Sequence, residues 1–231
     1  MFWNGPLSTI RKYTQAYHAL APRTVTEGEG TYLDQPRWMA VDMTAAACRV
    51  SDLFPGAGIL RFPVDTKTYN LDALAETIEK FSELVTSRPE FAASFLMIEQ
   101  YSNRAVREVD RKESVVPWRD DGLLIAPVLL YPSLNVSTTP PTSNEDLDEI
   151  AWKKGEEMRQ IMVDGAEADG GHHSYVNYAY GGEKEKELYG EENLERLRKL
   201  KRVYDPGNRF GFYAPIDGRT GEIERERRSE L

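Results

Sequence analysis

The chain has 231 residues, enough to bury a sizeable core as one large domain or two small ones. Its formal net charge of -9 at pH 7 excludes non-specific nucleic-acid binding by the average surface, since that needs basic groups to displace phosphate counterions. No stretch reaches the roughly 20 apolar residues of a membrane span, and the start has no basic region leading into an apolar core, so neither span nor signal peptide is expected and the location stays unknown.

In chain order, Leu7 to Ala21 reads as a helix and Pro22 to Arg37 as irregular. The single cysteine, Cys48, excludes an internal disulfide and a cysteine-built zinc site. Ile59 to Val64 predicts a strand, with Pro63 at an edge or strand end. Asn70 then caps a helix whose apolar residues Leu71, Leu74, Ile78, Phe81 and Val85 share one face, with Asp72 favouring the positive end of the dipole and Pro89 marking the exit. Phe95-Leu96-Met97-Ile98 predicts a strand buried on both faces. Leu123 to Tyr131 predicts another, in which Pro127 demands a bulge or an edge position. A Pro/Ser/Thr-rich loop runs from Pro132 to Thr142 and contains the sequon Asn135-Val136-Ser137, read as plain loop. Ser143 and Asp146 resemble a capping box opening a long helix through Leu147, Ile150, Ala151, Met158, Ile161 and Met162, with Gly165 as terminator. Ser174 to Tyr178 predicts a short strand, and a charged helix with Leu194, Leu197, Leu200 and Tyr204 follows, closed by the turn Asp205-Pro206-Gly207. The Arg/Glu-dense tail has almost nothing to bury.

These elements give an α+β fold: a split βαβ arrangement, with an antiparallel sheet and helices packed on one face. The expected divisions are a poorly defined lead segment over 1–50, an α+β region over 51–166, a C-terminal segment over 167–216 and a charged, disordered tail over 217–231.

Few motifs carry chemistry by spacing. Pro55-Gly56-Ala57-Gly58 precedes a strand, whereas a dinucleotide loop needs its glycines after a strand and before a helix, so a plain turn is expected. His172 and His173 are adjacent, and neighbours on an extended chain point apart, so no metal site is expected there. No serine sits in a nucleophile elbow. On a strand, Tyr175 and Asn177 would share one face, presenting a phenol beside a carboxamide. Tyrosine favours strands in any case, so this spacing alone is a weak sign.

Tyr175-Val176-Asn177-Tyr178-Ala179, Tyr189-Gly190, Leu194-Glu195-Arg196-Leu197 and Lys201-Arg202-Val203-Tyr204-Asp205-Pro206-Gly207-Asn208-Arg209-Phe210, ending in Phe212-Tyr213-Ala214-Pro215-Ile216, resemble the C-terminal signature of berberine-bridge-enzyme-like oxidases. Upstream, Arg61-Phe62-Pro63-Val64-Asp65, Thr68-Tyr69-Asn70 and Val116-Pro117-Trp118-Arg119-Asp120 are similar to that family's substrate-domain half. The resemblance implies that 51–166 is a substrate-domain-like region and 167–216 the berberine-like segment of an FAD-linked flavoprotein oxidoreductase of secondary metabolism. Such enzymes oxidise a small organic substrate by passing hydride to flavin. By the same resemblance, Tyr175 matches the catalytic base and Asn177 the flavin-contacting asparagine. A phenol has an unperturbed pKa of about 10 and needs a nearby positive charge or hydrogen bonds to act near neutrality; Arg119 is the candidate. The mostly apolar stretch Ile125 to Leu129 favours a hydrophobic metabolite over a sugar.

The family's N-terminal flavin domain has no counterpart in the sequence, and Cys48 does not match the flavin-linking motif. Weak or no FAD binding, inactivity in isolation and self-association through an exposed docking face are therefore expected. The alternative reading is a truncated, non-catalytic α+β binding module.

Overall fold

The computed structural model describes residues 3–39, 42, 56–135, 142–143, 145–167 and 171–218. Cys48, Pro55, most of the sequon and nearly all of the charged tail lie outside them. The chain divides into two compact units, Met1–Val50 and Ser51–Leu231.

In the first unit, helix α1 (Leu7–Ala19) forms as its sequence predicts. The stretch expected to be irregular instead holds a 3-10 turn at Tyr32–Asp34 and the short helix α2 (Gln35–Trp38). The Asp34 carboxylate fixes that turn by accepting from the Thr31 N–H at 2.7 Å.

The second unit is built on β4 (Leu123–Pro132), which pairs antiparallel along one edge with β1 (Ala57–Arg61) and β2 (Val64–Thr66), and along the other with β3 (Phe95–Gln100). Gly56 takes a φ of 75° where the chain turns into β1 and precedes that strand, whereas Gly58 lies within it, so neither glycine opens a helix. The expected strand over 59–64 is thus two strands broken at Phe62-Pro63. Pro127, expected at a bulge or an edge, lies fully buried in the central strand. The two departures have one cause. Registers of Arg61 on Val128 and Val64 on Ile125 set the Phe62-Pro63 break opposite Pro127, where the ladder has a donor missing. Phe62 still donates its N–H to the Pro127 carbonyl at 3.1 Å.

Helix α3 (Leu71–Ser87) begins at Asn70, whose side chain accepts from the Ala73 N–H. After the short α4 (Arg104–Glu108) and β4 come the two-residue strands β5 (Leu134–Asn135) and β6 (Thr142–Ser143). Ser143 therefore belongs to a strand, and α5 (Glu145–Ala166) starts two residues later. Gly165 is not a terminator but a contact point: a Cβ there would meet the Ala73 methyl at 2.5 Å, so α3 and α5 pack closely. Both helices cover one face of the sheet. Phe62, Leu84, Phe91, Leu129, Tyr131, Ala151 and Met158 form one cluster of the core, and Val64, Ile125, Met162 and Val163 a second.

Cross-strand partners share a face. Leu129 and Ile125 lie in the helix-side core, so the alternate residues Leu124, Ala126 and Val128 belong to the other face, with Asp65, Met97 and Glu99 beside them. The expectation that β3 is buried on both faces fails, since Phe95 and Ile98 are exposed. The charged helix is split by Gly190 at a φ of 73° into α6 (Glu185–Tyr189) and α7 (Glu191–Tyr204). Among the described residues, no helix is long and apolar enough to cross a membrane.

Candidate active site on the helix-free face of the sheet

The segment expected to be a strand over Ser174–Tyr178 is extended only at its start. His173 bridges Asp65 of β2 through Asp65 N–H to His173 carbonyl at 2.9 Å and the reciprocal bond at 3.1 Å. The chain then coils into a 3-10 turn at Val176–Tyr178, closed by the Tyr178 N–H on the Tyr175 carbonyl at 2.9 Å. Tyr175 and Asn177 meet because of this turn, not because of strand alternation. The Asn177 amide donates to the Tyr175 hydroxyl at 2.6 Å, and both side chains are exposed.

The turn rests on the helix-free face. Glu99 of β3 accepts from the Tyr178 hydroxyl at 3.2 Å and from the Tyr101 hydroxyl at 3.0 Å. One oxygen of the Asp65 carboxyl is buried without a hydrogen-bond partner. From the C-terminal side, the Tyr213 hydroxyl donates to the Val176 carbonyl at 2.6 Å and the Ala179 carbonyl at 3.1 Å. The rings of Tyr175 and Tyr178 meet edge to face at 5.4 Å.

The electrostatics are acidic. Burial pushes the Asp65 carboxyl up to about 7, helped by the neighbouring charges of Asp121 and Glu99 and opposed by the Tyr175 N–H. The Tyr178 phenol is raised by burial and by Glu99, which keeps its proton available for that carboxylate. The Tyr101 phenol is raised by its bond to Glu99.

Arg119 does not reach the phenol of Tyr175. It is buried and donates to the carbonyls of Val116, Val106, Val109 and Asp110 and to the Ser114 hydroxyl, stapling the loop before β4. The adjacent Trp118 stacks on the His173 imidazole with ring centres 3.5 Å apart, and His173 Nδ1 lies 2.5 Å from Asp121. His173 is therefore a packed structural group rather than a bland loop residue. His172 points elsewhere, toward the Arg159 guanidinium, and burial followed by that charge lowers its pKa. Among the described residues, no group of three or more His, Cys, Asp or Glu could hold a metal ion.

Spacing singled out neither Asp65, Glu99, Asp121 nor Trp118. Asp65 and Trp118 fall inside quoted family-like stretches, but nothing in the sequence around Glu99 marks its role, since Tyr178, its partner in the turn, is 79 residues away. Of the apolar stretch Ile125 to Leu129, only Ala126 and Val128 face the turn's side of the sheet. A separate cleft of about 420 Å³ is lined by Glu183, Glu185, Asn208 and Asp217. It contains none of the tyrosine–asparagine chemistry, so the hydrogen-bonded pair and not this cleft marks the candidate site.

Residues 174–217 match the family described as berberine and berberine like. With the antiparallel α+β sheet, this match makes the chain similar to the C-terminal part of berberine-bridge-enzyme-like FAD-linked oxidoreductases. It is 33% identical over 208 residues to FAD-linked oxidoreductase chyH of Penicillium rubens, spanning 88% of this chain and 38% of that protein. It is likewise 33% identical over 226 residues to FAD-linked oxidoreductase anuG of Penicillium roqueforti, spanning 92% of this chain and 39% of that one. The chain thus spans less than half the length of these curated relatives. Among solved structures it superposes on a berberine bridge enzyme variant with a TM-score of 0.62 at 14% identity, covering 94% of this chain and 45% of the other. It also superposes on CrmK, a flavoenzyme of caerulomycin biosynthesis, with a TM-score of 0.62 at 18% identity, covering 88% and 40%. These likenesses establish the fold.

Proposed function

We propose that this chain forms the substrate-side part of an FAD-linked oxidoreductase of secondary metabolism, oxidising a small organic molecule and inactive without the flavin-binding part. The supporting observation is the 2.6 Å bond that joins the Asn177 amide to the Tyr175 hydroxyl, with both side chains open to solvent on the sheet face opposite the helices. FAD, when bound, would supply the hydride acceptor. Asn177 offers a carboxamide that can both donate to and accept from a flavin ring edge.

Tyr175, in its deprotonated form, would take the proton from the substrate hydroxyl or amine as hydride leaves the adjacent carbon, since removing both together avoids a cationic product. In this role its oxygen accepts one hydrogen bond from Asn177, which fixes its orientation and leaves a lone pair for substrate. On the same face Tyr101 is exposed and Met97 half-buried, while Ala126 and Val128 are buried beneath, a surface suited to an apolar, aromatic-containing metabolite. Regions 51–166 and 167–216 would act as one layer in this reading, because the turn of the second bonds to Glu99 of the first and His173 bridges Asp65.

In the complete flavin-loaded enzyme, Tyr175→Phe is expected to lower turnover about 100-fold or more, as loss of a general base does, while flavin content stays at the wild-type level. Unchanged turnover would remove Tyr175 from the mechanism. The 231-residue chain, purified alone, should be colourless; a yellow preparation carrying stoichiometric flavin would contradict the need for the remaining part.

A further inference from the structure

The segment after α7 takes a defined path without being buried. None of residues 210–218 is buried, and Phe210 and Phe212 are 82% and 97% accessible, so apolar packing does not fix its course. Polar ties do. The Lys201 ammonium of α7 donates to the Phe210 carbonyl at 2.7 Å. The Tyr189 hydroxyl, at the end of α6, donates to the Ala214 carbonyl at 2.6 Å, and the Asp217 N–H donates to the Glu185 carboxylate, at the start of α6, at 2.7 Å. Ala214 takes a φ of 42°, a left-handed conformation that is costly for a residue with a Cβ and persists where the surrounding bonds determine it. Between these ties stands Tyr213. Its hydroxyl reaches back 37 residues to the Val176 carbonyl at 2.6 Å and 34 residues to the Ala179 carbonyl at 3.1 Å.

We propose that residues 210–217 act as a strap whose Tyr213 hydroxyl positions the candidate site, by holding the peptide group that joins Val176 to Asn177. This strap deepens the oxidase reading and rests on it for its functional meaning. The Val176 carbonyl shares one rigid plane with the Asn177 N–H. Fixing that oxygen therefore fixes the direction in which the Asn177 side chain leaves the turn, and with it the 2.6 Å bond to the Tyr175 hydroxyl. The turn is poorly equipped to do this by itself. Its own closure rests on the Tyr178 N–H to the Tyr175 carbonyl at 2.9 Å and the Ala179 N–H to the Val176 carbonyl at 3.3 Å, and short 3-10 turns have poor hydrogen-bond geometry. On the sheet side, Glu99 holds the Tyr178 hydroxyl at 3.2 Å, which anchors a side chain rather than the backbone. Tyr213 supplies the backbone anchor. It is a positioning residue, since its hydroxyl bonds to the two carbonyls and neither bond reaches the Tyr175 hydroxyl or the Asn177 amide.

The test is Tyr213→Phe, which removes one hydroxyl from a ring that is 57% accessible, so folding is not at stake. In the 231-residue chain, followed by NMR, amide exchange at Tyr178 should quicken about fivefold to tenfold, the share of one hydrogen bond, while β4 keeps its protection. The Asn177 side-chain amide protons, bonded to Tyr175 in the wild type, should move toward the position of a free carboxamide. A tie that merely anchored the end of the chain would leave them unmoved. Wild-type exchange at Tyr178, unmoved Asn177 signals, or loosening spread equally through β4 overturns the proposal. In the complete flavin-loaded enzyme the same variant should lower kcat about tenfold, as a misplaced reacting group does, with KM held within about twofold. An unchanged kcat beside an inactive Tyr175→Phe overturns the positioning role and leaves the oxidase reading intact. Displaced Asn177 signals together with full activity of Tyr175→Phe leave the strap standing and remove the oxidase role of Tyr175.

Discussion

A carboxyl group at the centre of a sheet face is costly to ionise, and Asp65 shows the sign of that cost. Its pKa rises from the ordinary 3.8 to about 7 because burial and the charges of Asp121 and Glu99 disfavour the anion more than the Tyr175 N–H favours it. The folded state therefore binds a proton that the unfolded chain releases. The stability this group contributes is complete below about pH 4, falls as pH rises toward 7 and is gone above it. Three pKa units correspond to an effect on the order of 4 kcal/mol. Asp65→Asn stays neutral at every pH. It should flatten the fall in urea midpoint between about pH 4 and pH 7, and exceed the wild type at the alkaline end by up to that order. Parallel wild-type and Asp65→Asn curves would mean that the Asp65 proton is not held by the fold. The His173–Asp121 pair stands beside Asp65 and is retained in both proteins, so the difference curve isolates Asp65. Nothing in the local sequence announces this behaviour: an aspartate after Val64 reads as the polar residue of an alternating strand, and its acidic neighbours come from β3 and from the residues before β4.

At the scale of elements, periodicity was a sound guide wherever packing followed it. Leu74, Phe81 and Val85 do face the core from α3, and Asn70 does cap that helix. It misled where tertiary pairing supplied what local sequence lacked. Pro127 survives in a central strand because the neighbouring edge is itself broken at Phe62-Pro63, and no local pattern carries information about that coincidence. The tyrosine–asparagine segment alternates like a strand yet turns, because His173 alone finds a sheet partner and the residues after it bond to Glu99 and Tyr213 instead. The candidate pair was legible as residue types in a family-like motif; the device holding it was not. One glycine tests the same packing logic. Gly155, in the middle of α5, has Phe62 so close that an added Cβ would meet its ring at 1.9 Å. Phe62 is fully buried at the strand break, so neither partner can withdraw cheaply. Gly155→Ala should therefore destabilise by about 1–3 kcal/mol, against the usual gain from alanine in a helix. Gly207→Ala, with open space around its Cβ, is the control and should stay within about 0.5 kcal/mol of wild type. A Gly155→Ala variant with an unchanged melting temperature would show that α5 stands further from the sheet.

For the whole molecule, two opposing forces decide whether the 231-residue chain stays monomeric. The stretch after α7 exposes large apolar side chains: Phe210 is 82% and Phe212 97% accessible, with Val203 and Tyr204 nearby at 69% and 79%. Exposed apolar side chains of this size favour association where they form a patch. The curated relatives are more than twice as long as the part this chain matches, which leaves room in them for a covering domain. Against association stands the net charge of -9, whose self-repulsion acts over about 8–10 Å at physiological salt and shortens as salt is added. The expected outcome is a concentration-dependent rise in mass by light scattering that grows between about 0.05 and 0.5 M salt, because screening removes the repulsion and leaves the apolar contact intact. Phe212→Ser should reduce the association at every salt concentration without changing the melting temperature, since the ring makes no core contact. A chain that remains monomeric at high concentration and high salt would show that these aromatics are too dispersed to dock anything. Association that weakens with salt would instead mark a charge-driven contact, and the Phe212→Ser variant would then associate as well as the wild type.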